Sequence, residues 1–260
     1  MRWLSAYAVA SYHSRDGWTG RGRPRQGRGI VKTPHALAAV IGFALYILLL
    51  PALLFITAGT VNWPMAWAYV VMLLAATLGS RLIVLLKNSD LLRERSRFMQ
   101  AEDTQPWDRI LSPIVGVLSP AAMIVVAGLD HRFGWSGTVP DVIQVLAAIA
   151  VAGAYALAVW AMIANEYFSA VARIQQDRGQ VVVADGPYRI VRHPAYAGSV
   201  VAALALPVML STLWAFVPGM VMNVAVVLRT HLEDGMLKRE LYGYAAYAER
   251  TRYRLLPGVW

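Results

Sequence analysis

The stretch DVIQVLAAIAVAGAYALAVWAMI at residues 141–163 decides the fold class, because no charged residue follows its first aspartate. A helix needs roughly 20 apolar residues to cross the hydrocarbon core of a bilayer, and this stretch supplies them. Comparable apolar stretches lie at about 36–58, 65–87 and 110–128. Each of the four stretches predicts one transmembrane helix.

A longer apolar block at 195–228 exceeds the length of a single crossing. Pro207 and the Leu-Ser-Thr sequence at 210–212 predict that this block forms a tight hairpin of two short helices. The sequence therefore predicts an all-α integral membrane protein with about six transmembrane helices, or five if one segment is re-entrant.

The composition agrees with this class, since 58% of the 260 residues are hydrophobic and 15% are charged. A soluble domain is about half apolar and a quarter charged. The net charge of +9 would suggest a nucleic-acid partner in a soluble domain, but here we interpret the basic residues as topology signals and lipid contacts. The chain has no cysteine, and its histidines show no metal-binding spacing. We therefore expect neither a metal nor a nucleic acid as partner.

The basic residues fall on one side of the predicted layout. Lysine and arginine number 7 in residues 1–34, 5 in 87–109, 4 in 164–194 and 6 in 229–260, whereas the opposite loops hold only Arg132. Positive charge marks the cytoplasmic side of a membrane protein. We therefore expect both termini in the cytoplasm and, from the basic N-terminal arm, a bacterial cytoplasmic membrane.

Three regions follow from these patterns. Residues 1–34 are rich in glycine and arginine and predict a flexible basic arm, and residues 35–164 contain the first four helices. Residues 165–260 contain the hairpin at 195–228, a cytoplasmic tail helix and most of the polar chemistry. The chain shows no internal repeat and almost no acidic residue within its spans, which disfavours transporters and ion pumps.

The first polar segment contains GPYRIVRHPAYAG at residues 186–198. Pro194 suits the first turn of the fifth helix, where its missing N–H costs nothing, so His193 is predicted near the N-cap. The helix N-terminus and Arg192 would attract an anion, such as a carboxylate or a lipid phosphate. The alternative is a basic junction that only touches lipid phosphates.

The second polar segment follows the last span. Arg229 and Glu233 are four residues apart and share a helix face, and Asp234 adds a second carboxylate. Further apolar residues at helical spacing predict a tail helix that folds back onto the protein: Leu237, Leu241, Tyr244 and Ala248. The remaining aromatic residues of this segment are predicted to be packing and interface anchors: Tyr242, Tyr247 and Tyr253.

These two segments resemble the isoprenylcysteine carboxyl methyltransferase family and the related membrane phospholipid methyltransferases. The resemblance covers roughly residues 165–260. The matching features are Gly186-Pro187-Tyr188, Arg192-His193-Pro194 with Tyr196 and Gly198, Arg229 with Glu233-Asp234, and Tyr242-Gly243, Tyr247, Arg250 and Leu256-Pro257. One departure is Asp234, where relatives usually carry a second glutamate.

The resemblance implies an all-helical membrane methyltransferase that uses S-adenosylmethionine (SAM) and acts on a lipophilic acceptor. It implies that Arg229 binds the acceptor, and that Arg229 and Glu233 are catalytic. The cofactor contacts that it implies are Gln175, Gln180, Val181, Val182, Val183, Tyr188, His193, Pro194, Ala195, Tyr196 and Glu233.

The chemistry of SAM suits these residue types. His193 and the helix N-terminus can take the cofactor's carboxylate, tyrosine faces suit the sulfonium, and Glu233 can accept from the amine or the ribose hydroxyls. A carboxylate acceptor needs no general base, and Arg229 could orient it bidentately. An amine acceptor must first lose a proton, and the nearest candidate bases are Glu233 and Asp234.

Other functions stay open on the sequence alone. The acceptor could be a prenylated protein, a free isoprenoid thioether acid, a phospholipid amine or a hydrophobic xenobiotic. A phospholipid or small-molecule N-methyltransferase is therefore one alternative to O-methylation of a carboxylate. A membrane sterol or enone reductase that uses NADPH, which ends in a similar sequence, is another. A non-enzymatic lipid-binding protein is the third.

Overall fold

The computed structural model describes residues 47–87 and 104–260. The predicted N-terminal arm, the first part of the span at 36–58 and much of the loop at 87–109 lie outside the described residues. Within the described ranges the chain is helical and contains no strand. The helices are α1 Ile47–Ala58, α2 Pro64–Lys87, α3 Asp108–Phe133, α4 Asp141–Ala164, α5 Pro194–Met209, α6 Phe216–Glu240 and α7 Tyr244–Arg250.

The helices are those of a membrane protein, as the apolar stretches predicted. Among the described residues, α2, α3, α4 and α6 are long and apolar enough to cross a bilayer, while α1 and α5 are shorter apolar helices. The surface of α4 carries large apolar side chains, among them Val142 and Ile149, which are 70% and 63% exposed. A face of this kind suits lipid. The total of six crossings remains a prediction.

The predicted hairpin lies where the sequence placed it, but its turn differs in detail. Pro207 lies inside α5, and the chain turns after Met209, with Ser211 at a positive φ of 56°. The short 3₁₀ turn Leu213–Ala215 then leads into α6. Helix α6 continues past residue 228 to Glu240, so the polar residues that follow the last span lie on the same helix.

The apolar stripe that predicted one tail helix is divided between two helices. Leu237 lies near the end of α6, and Gly243, with φ of 82°, separates it from α7. A positive φ is open to glycine but strained for most other residues, which explains the break. The stripe nevertheless packs as a unit, because Leu237 contacts the cluster that contains Leu241, Tyr244 and Ala248.

Helices α4 and α5 approach each other closely at a glycine. A methyl group at Gly198 of α5 would lie 2.6 Å from the carbonyl oxygen of Ala154 in α4. Small residues allow such an approach, and dispersion contacts between close backbones drive helix association in lipid. This contact fixes the first turns of α5 against the middle of α4.

At the opposite end of the bundle, one buried carboxylate connects two loops by hydrogen bonds. Asp130 near the end of α3 is 1% exposed and accepts hydrogen bonds from the backbone and hydroxyl of Ser136 and from the backbone of Trp214. These bonds join the α3–α4 loop to the α5–α6 turn. The helices are therefore held at both ends, and the polar loops at the end where α5 begins have a rigid support.

Candidate active site

A cleft that is partly open to solvent lies where α5 begins and α6 ends. Its wall contains all eleven residues that the resemblance implied for the cofactor: Gln175, Gln180, Val181, Val182, Val183, Tyr188, His193, Pro194, Ala195, Tyr196 and Glu233. The rest of the wall is formed by Asn165, Tyr167, Phe168, Ser169, Val171, Arg173, Arg192, Leu237, Leu241, Tyr244 and Tyr247. The fold thus brings together two stretches that are distant in the chain, residues 165–196 and 233–247.

His193 is the N-cap residue of α5, and Pro194 occupies the first turn, as the sequence predicted. The backbone N–H of His193 donates to the carbonyl of Arg254 at 2.9 Å, so the tail of the chain fixes the start of the helix. The imidazole lies parallel to the ring of Tyr196, with 5.6 Å between the ring centroids. Both rings are therefore held in the wall of the cleft.

Asp234 lies behind the wall rather than on it. The residue is fully buried, and its carboxylate accepts hydrogen bonds or ion-pair contacts from Arg192, Lys238, Tyr244 and Arg254 at 2.7–3.2 Å. Three cations thus surround one carboxylate. This environment makes Asp234 a structural centre that joins α6 to the start of α5 and to the chain after α7.

Arg192 belongs to the same structural centre. Its Nε and Nη2 donate to Asp234, and its Nη1 donates to the carbonyls of Thr251 at 2.7 Å and Arg252 at 2.8 Å. The sequence suggested that Arg192 adds positive charge to an anion pocket. In the structure its guanidinium is occupied by Asp234 and by the tail. The Nε2 of His193 also faces Asp234, at 3.7 Å, so the N-terminus of α5 is the main group left for an anion.

Glu233 faces the cleft, one residue before Asp234. Its Oε2 accepts a hydrogen bond of 2.6 Å from the hydroxyl of Tyr196. The guanidinium of Arg229 lies over the Tyr196 ring at 5.2 Å from its centroid, a cation–π contact. Glu233, Tyr196 and Arg229 therefore form one connected group between the cleft and the interior of the bundle.

Arg229 is paired with Asp108, a residue that the sequence analysis missed. The Nε and Nη2 of Arg229 donate to the two carboxylate oxygens at 2.7 Å and 3.0 Å, and both side chains are buried. Arg229 does not line the cleft, and the bidentate contact predicted for an acceptor is made here with Asp108. Asp108 opens α3, just before the predicted span at 110–128. An acidic residue at the start of an apolar span was the available signal.

The Asp108–Arg229 pair also fixes the loop that forms one wall of the cleft. The backbone N–H of Ala172 donates to Asp108 at 2.6 Å, and Arg229 donates to the carbonyl of Ala170 at 2.7 Å. Ser169 and Val171 of the same loop line the cleft. The position of this wall therefore depends on an ion pair between α3 and α6.

The two ends of the Gln175 amide are used inside the loop. Its Nε2 donates to the carbonyl of Tyr167 at 2.6 Å, and its Oε1 accepts from Arg178 at 2.5 Å. The side chain is 1% exposed. Gln180 bonds back to the same residue, since its Oε1 accepts from the Gln175 backbone at 2.7 Å. These contacts give the loop a defined shape.

The segment from Val181 to Ala184 is irregular and offers its backbone to the cleft. Within the described part of the chain, its N–H groups donate to no backbone carbonyl. The segment has neither helical nor strand pairing. A backbone segment without helix or strand pairing, beside apolar valines, can hold a planar heterocycle by hydrogen bonds and contact.

Two tyrosines from α7 close the cleft on the side of the tail. Burial raises the pKa of Tyr247 to about 12, and burial together with the Asp234 charge raises the pKa of Tyr244. A phenol is protonated at neutral pH even at its ordinary pKa near 10, so both hydroxyls act as donors. The Tyr247 hydroxyl donates to the carbonyl of Tyr188 at 2.7 Å, which joins α7 to the 3₁₀ turn Gly186–Arg189.

The described residues contain no group of three or more histidine, aspartate or glutamate side chains that could hold a metal ion.

Residues 145–239 match the sequence model of the isoprenylcysteine carboxyl methyltransferase (ICMT) family. A search of curated proteins found no match. The matched range starts within α4 and ends in α6, so it contains the loop, the start of α5 and Glu233. Residues 145–239 of this chain are therefore similar in sequence to the ICMT family of methyltransferases.

Proposed function

We propose that the protein is a SAM-dependent membrane methyltransferase that transfers the methyl group to a lipophilic carboxylate acceptor. The observation that carries the proposal is the cleft, where His193, Glu233 and the segment 180–183 converge beside helices with apolar outer faces. A water-soluble cofactor and a lipid-soluble acceptor can meet only at such a boundary.

The residues in the wall fit the parts of SAM. His193 and the N-terminus of the 16-residue helix α5 suit its carboxylate. The backbone of the segment 181–184 suits the edge of the adenine base. Glu233 suits the amine or the ribose hydroxyls, and the faces of Tyr188 and Tyr196 suit the positive sulfur.

When bound, the cofactor supplies a methyl group that leaves a positively charged sulfur for an acceptor oxygen, and both charges are lost. The protein contributes position and exclusion of water, since a carboxylate is already ionised and needs no base. Arg229 would orient the acceptor through its Nη1 corner, because its other edge is held by Asp108 and Ala170. We place the cleft on the cytoplasmic face of a bacterial membrane.

A second candidate is methyl transfer to a lipophilic amine. The observation that favours it is the pairing of Arg229 with Asp108, which neutralises the cation that would attract a carboxylate. An amine must lose a proton before the transfer. Glu233 is then the acceptor of that proton, because Asp234 is surrounded by three cations and does not line the cleft.

The test measures cofactor binding and methyl transfer separately. Calorimetry of the detergent-solubilised protein with SAM and with NADPH is expected to give binding of SAM alone. Membranes with methyl-labelled SAM are then given N-acetyl-S-farnesylcysteine, phosphatidylethanolamine and a lipophilic phenol. We expect an alkali-labile methyl ester on the thioether acid. An alkali-stable product on the amine would favour the second candidate, and binding of NADPH alone would reject both.

A further inference from the structure

The Asp108–Arg229 pair joins a residue outside the range 145–239, which matches the ICMT family, to a residue inside it. Asp108 lies 37 residues before residue 145, where the match to the ICMT family begins, while Arg229 lies inside the match. Asp108 is fully buried, and Arg229 is 5% exposed. A buried arginine needs a counter-charge, and one of the described helices upstream of the match supplies it.

The hydrogen bonds of Arg229 use two of the three guanidinium nitrogens and leave Nη1 available. Nε and Nη2 donate to Asp108, and Nη2 also donates to the carbonyl of Ala170. No described residue accepts a hydrogen bond from Nη1. A guanidinium is planar and rigid, so fixing one edge also fixes the direction of the remaining N–H groups.

Arg229 is connected to the wall of the cleft through Tyr196. The guanidinium lies over the ring of Tyr196, and the Tyr196 hydroxyl donates to Glu233 at 2.6 Å. Tyr196 and Glu233 line the cleft. The chain of contacts therefore runs from Asp108 through Arg229 and Tyr196 to the carboxylate that faces the cleft.

We propose that Asp108 is a positioning residue for methyl transfer, which holds one edge of Arg229 so that Nη1 meets the polar group of the acceptor. This inference rests on the proposed function. Asp108 remains paired during the reaction, because an acceptor that displaced it would leave a buried carboxylate without its cation. The backbone N–H of Ala172, which donates to the same carboxylate, holds it in place.

Five variants test the role of Asp108, with N-acetyl-S-farnesylcysteine as the acceptor probe, and Arg229→Ala alone is one of them. Asp108→Glu keeps the charge and moves the carboxylate by one methylene, so it is expected to fold. Asp108→Asn removes the charge, and Asp108→Asn with Arg229→Ala tests whether the two residues act together. Asp185→Asn is the matched control, because it removes a carboxylate that pairs with Arg189 on the exposed surface.

The readouts are the Kd for SAM and the separate kcat and KM for the probe. In Asp108→Glu we expect the Kd for SAM to stay within about twofold and kcat to fall roughly tenfold to a hundredfold, as a displaced contact predicts. The double variant should be no slower than Arg229→Ala alone. The control should match the wild type in all three constants.

Three results would overturn the inference. Wild-type kcat and KM in Asp108→Glu would show that the position of this carboxylate does not matter. Loss of SAM binding in parallel with turnover would show that the pair only braces the loop, as would losses that multiply in the double variant. A wild-type protein that binds SAM but methylates no lipophilic acid would instead reject the proposed carboxylate acceptor, and the inference with it.

Discussion

At the scale of single residues, Glu233 and Asp234 show how adjacent carboxylates take different tasks. Successive residues on a helix point about 100° apart, so one faces the cleft and the other the packed interior. Glu233 accepts one hydrogen bond from Tyr196, whereas Asp234 is surrounded by Arg192, Lys238 and Arg254. Glu233 is therefore the carboxylate that can meet a ligand, and Asp234 is the one that holds the fold.

The substitution Glu233→Gln is expected to weaken SAM binding. A hydrogen bond to a charged group contributes about 1.5–3 kcal/mol, which corresponds to a rise in Kd of roughly tenfold to a hundredfold. Calorimetry with the solubilised protein measures the Kd for SAM. Glu249→Gln, on the exposed face of α7, is the control and should bind as the wild type does. An unchanged Kd in Glu233→Gln would remove Glu233 from the proposed site.

The substitution Asp234→Asn is expected to destabilise the protein instead. Removing one partner of a buried ion pair costs about 3–5 kcal/mol, because the charge that remains is uncompensated. The loss should appear as a lower unfolding temperature in detergent. Asp185→Asn removes an exposed partner of Arg189 and should leave that temperature nearly unchanged. Equal unfolding temperatures for the two variants would contradict the assignment of Asp234 as a structural centre.

At the scale of helices, the contact between α4 and α5 determines the position of α5, and therefore of its site residues, along the axis of α4. Gly198 lies one turn after Pro194, on the face that touches the Ala154 carbonyl. The same helix begins with His193 at its N-cap and carries Tyr196 in the wall of the cleft. A shift of α5 against α4 would therefore move both side chains together.

The substitution Gly198→Ala is expected to lower stability by about 1–3 kcal/mol, since a methyl group 2.6 Å from a backbone carbonyl forces the helices apart. Gly153→Ala is the control on α4, because an added methyl group there has no atom within 4 Å. Thermal unfolding of both variants in detergent measures the difference. If Gly198→Ala unfolds at the same temperature as Gly153→Ala, the close approach of α4 and α5 is not essential.

At the scale of the whole molecule, the polar loops that build the cleft lie at the end of the bundle where α5 begins, and the Asp130 contacts lie at the other end. The charge pattern predicts that the end with the cleft faces the cytoplasm. That orientation would let soluble SAM reach the cleft directly. It also places the exposed Tyr242, which is 99% accessible, on the cytoplasmic side.

Single cysteines test this orientation, because the chain contains none of its own. We expect Tyr242→Cys to react with a membrane-impermeant maleimide in inside-out vesicles and not in intact spheroplasts. Thr138→Cys, in the exposed loop between α3 and α4, should show the opposite pattern. Labelling of both positions from one side would contradict the predicted topology.

The sequence by itself determined the membrane class, the approximate positions of the described spans and, through the resemblance, eleven of the residues that gather at the cleft. Apolar length is a local property, and a proline at the first turn of a helix also acts locally, so 141–163 and His193-Pro194 were readable without a structure. The resemblance supplied the candidate residues of the wall. Their role in binding SAM remains a proposal.

The tertiary structure alone decided which charges pair. Arg229 pairs with Asp108, 121 residues away, although Glu233 is its neighbour at helical spacing. Asp234, rather than solvent, is the partner of Arg192, and the tail helix breaks at Gly243. Ion pairing depends on distances and burial across the bundle, and spacing along one helix fixes neither. That is the physical reason why the sequence predicted the residues of the site but not the contact between Asp108 and Arg229.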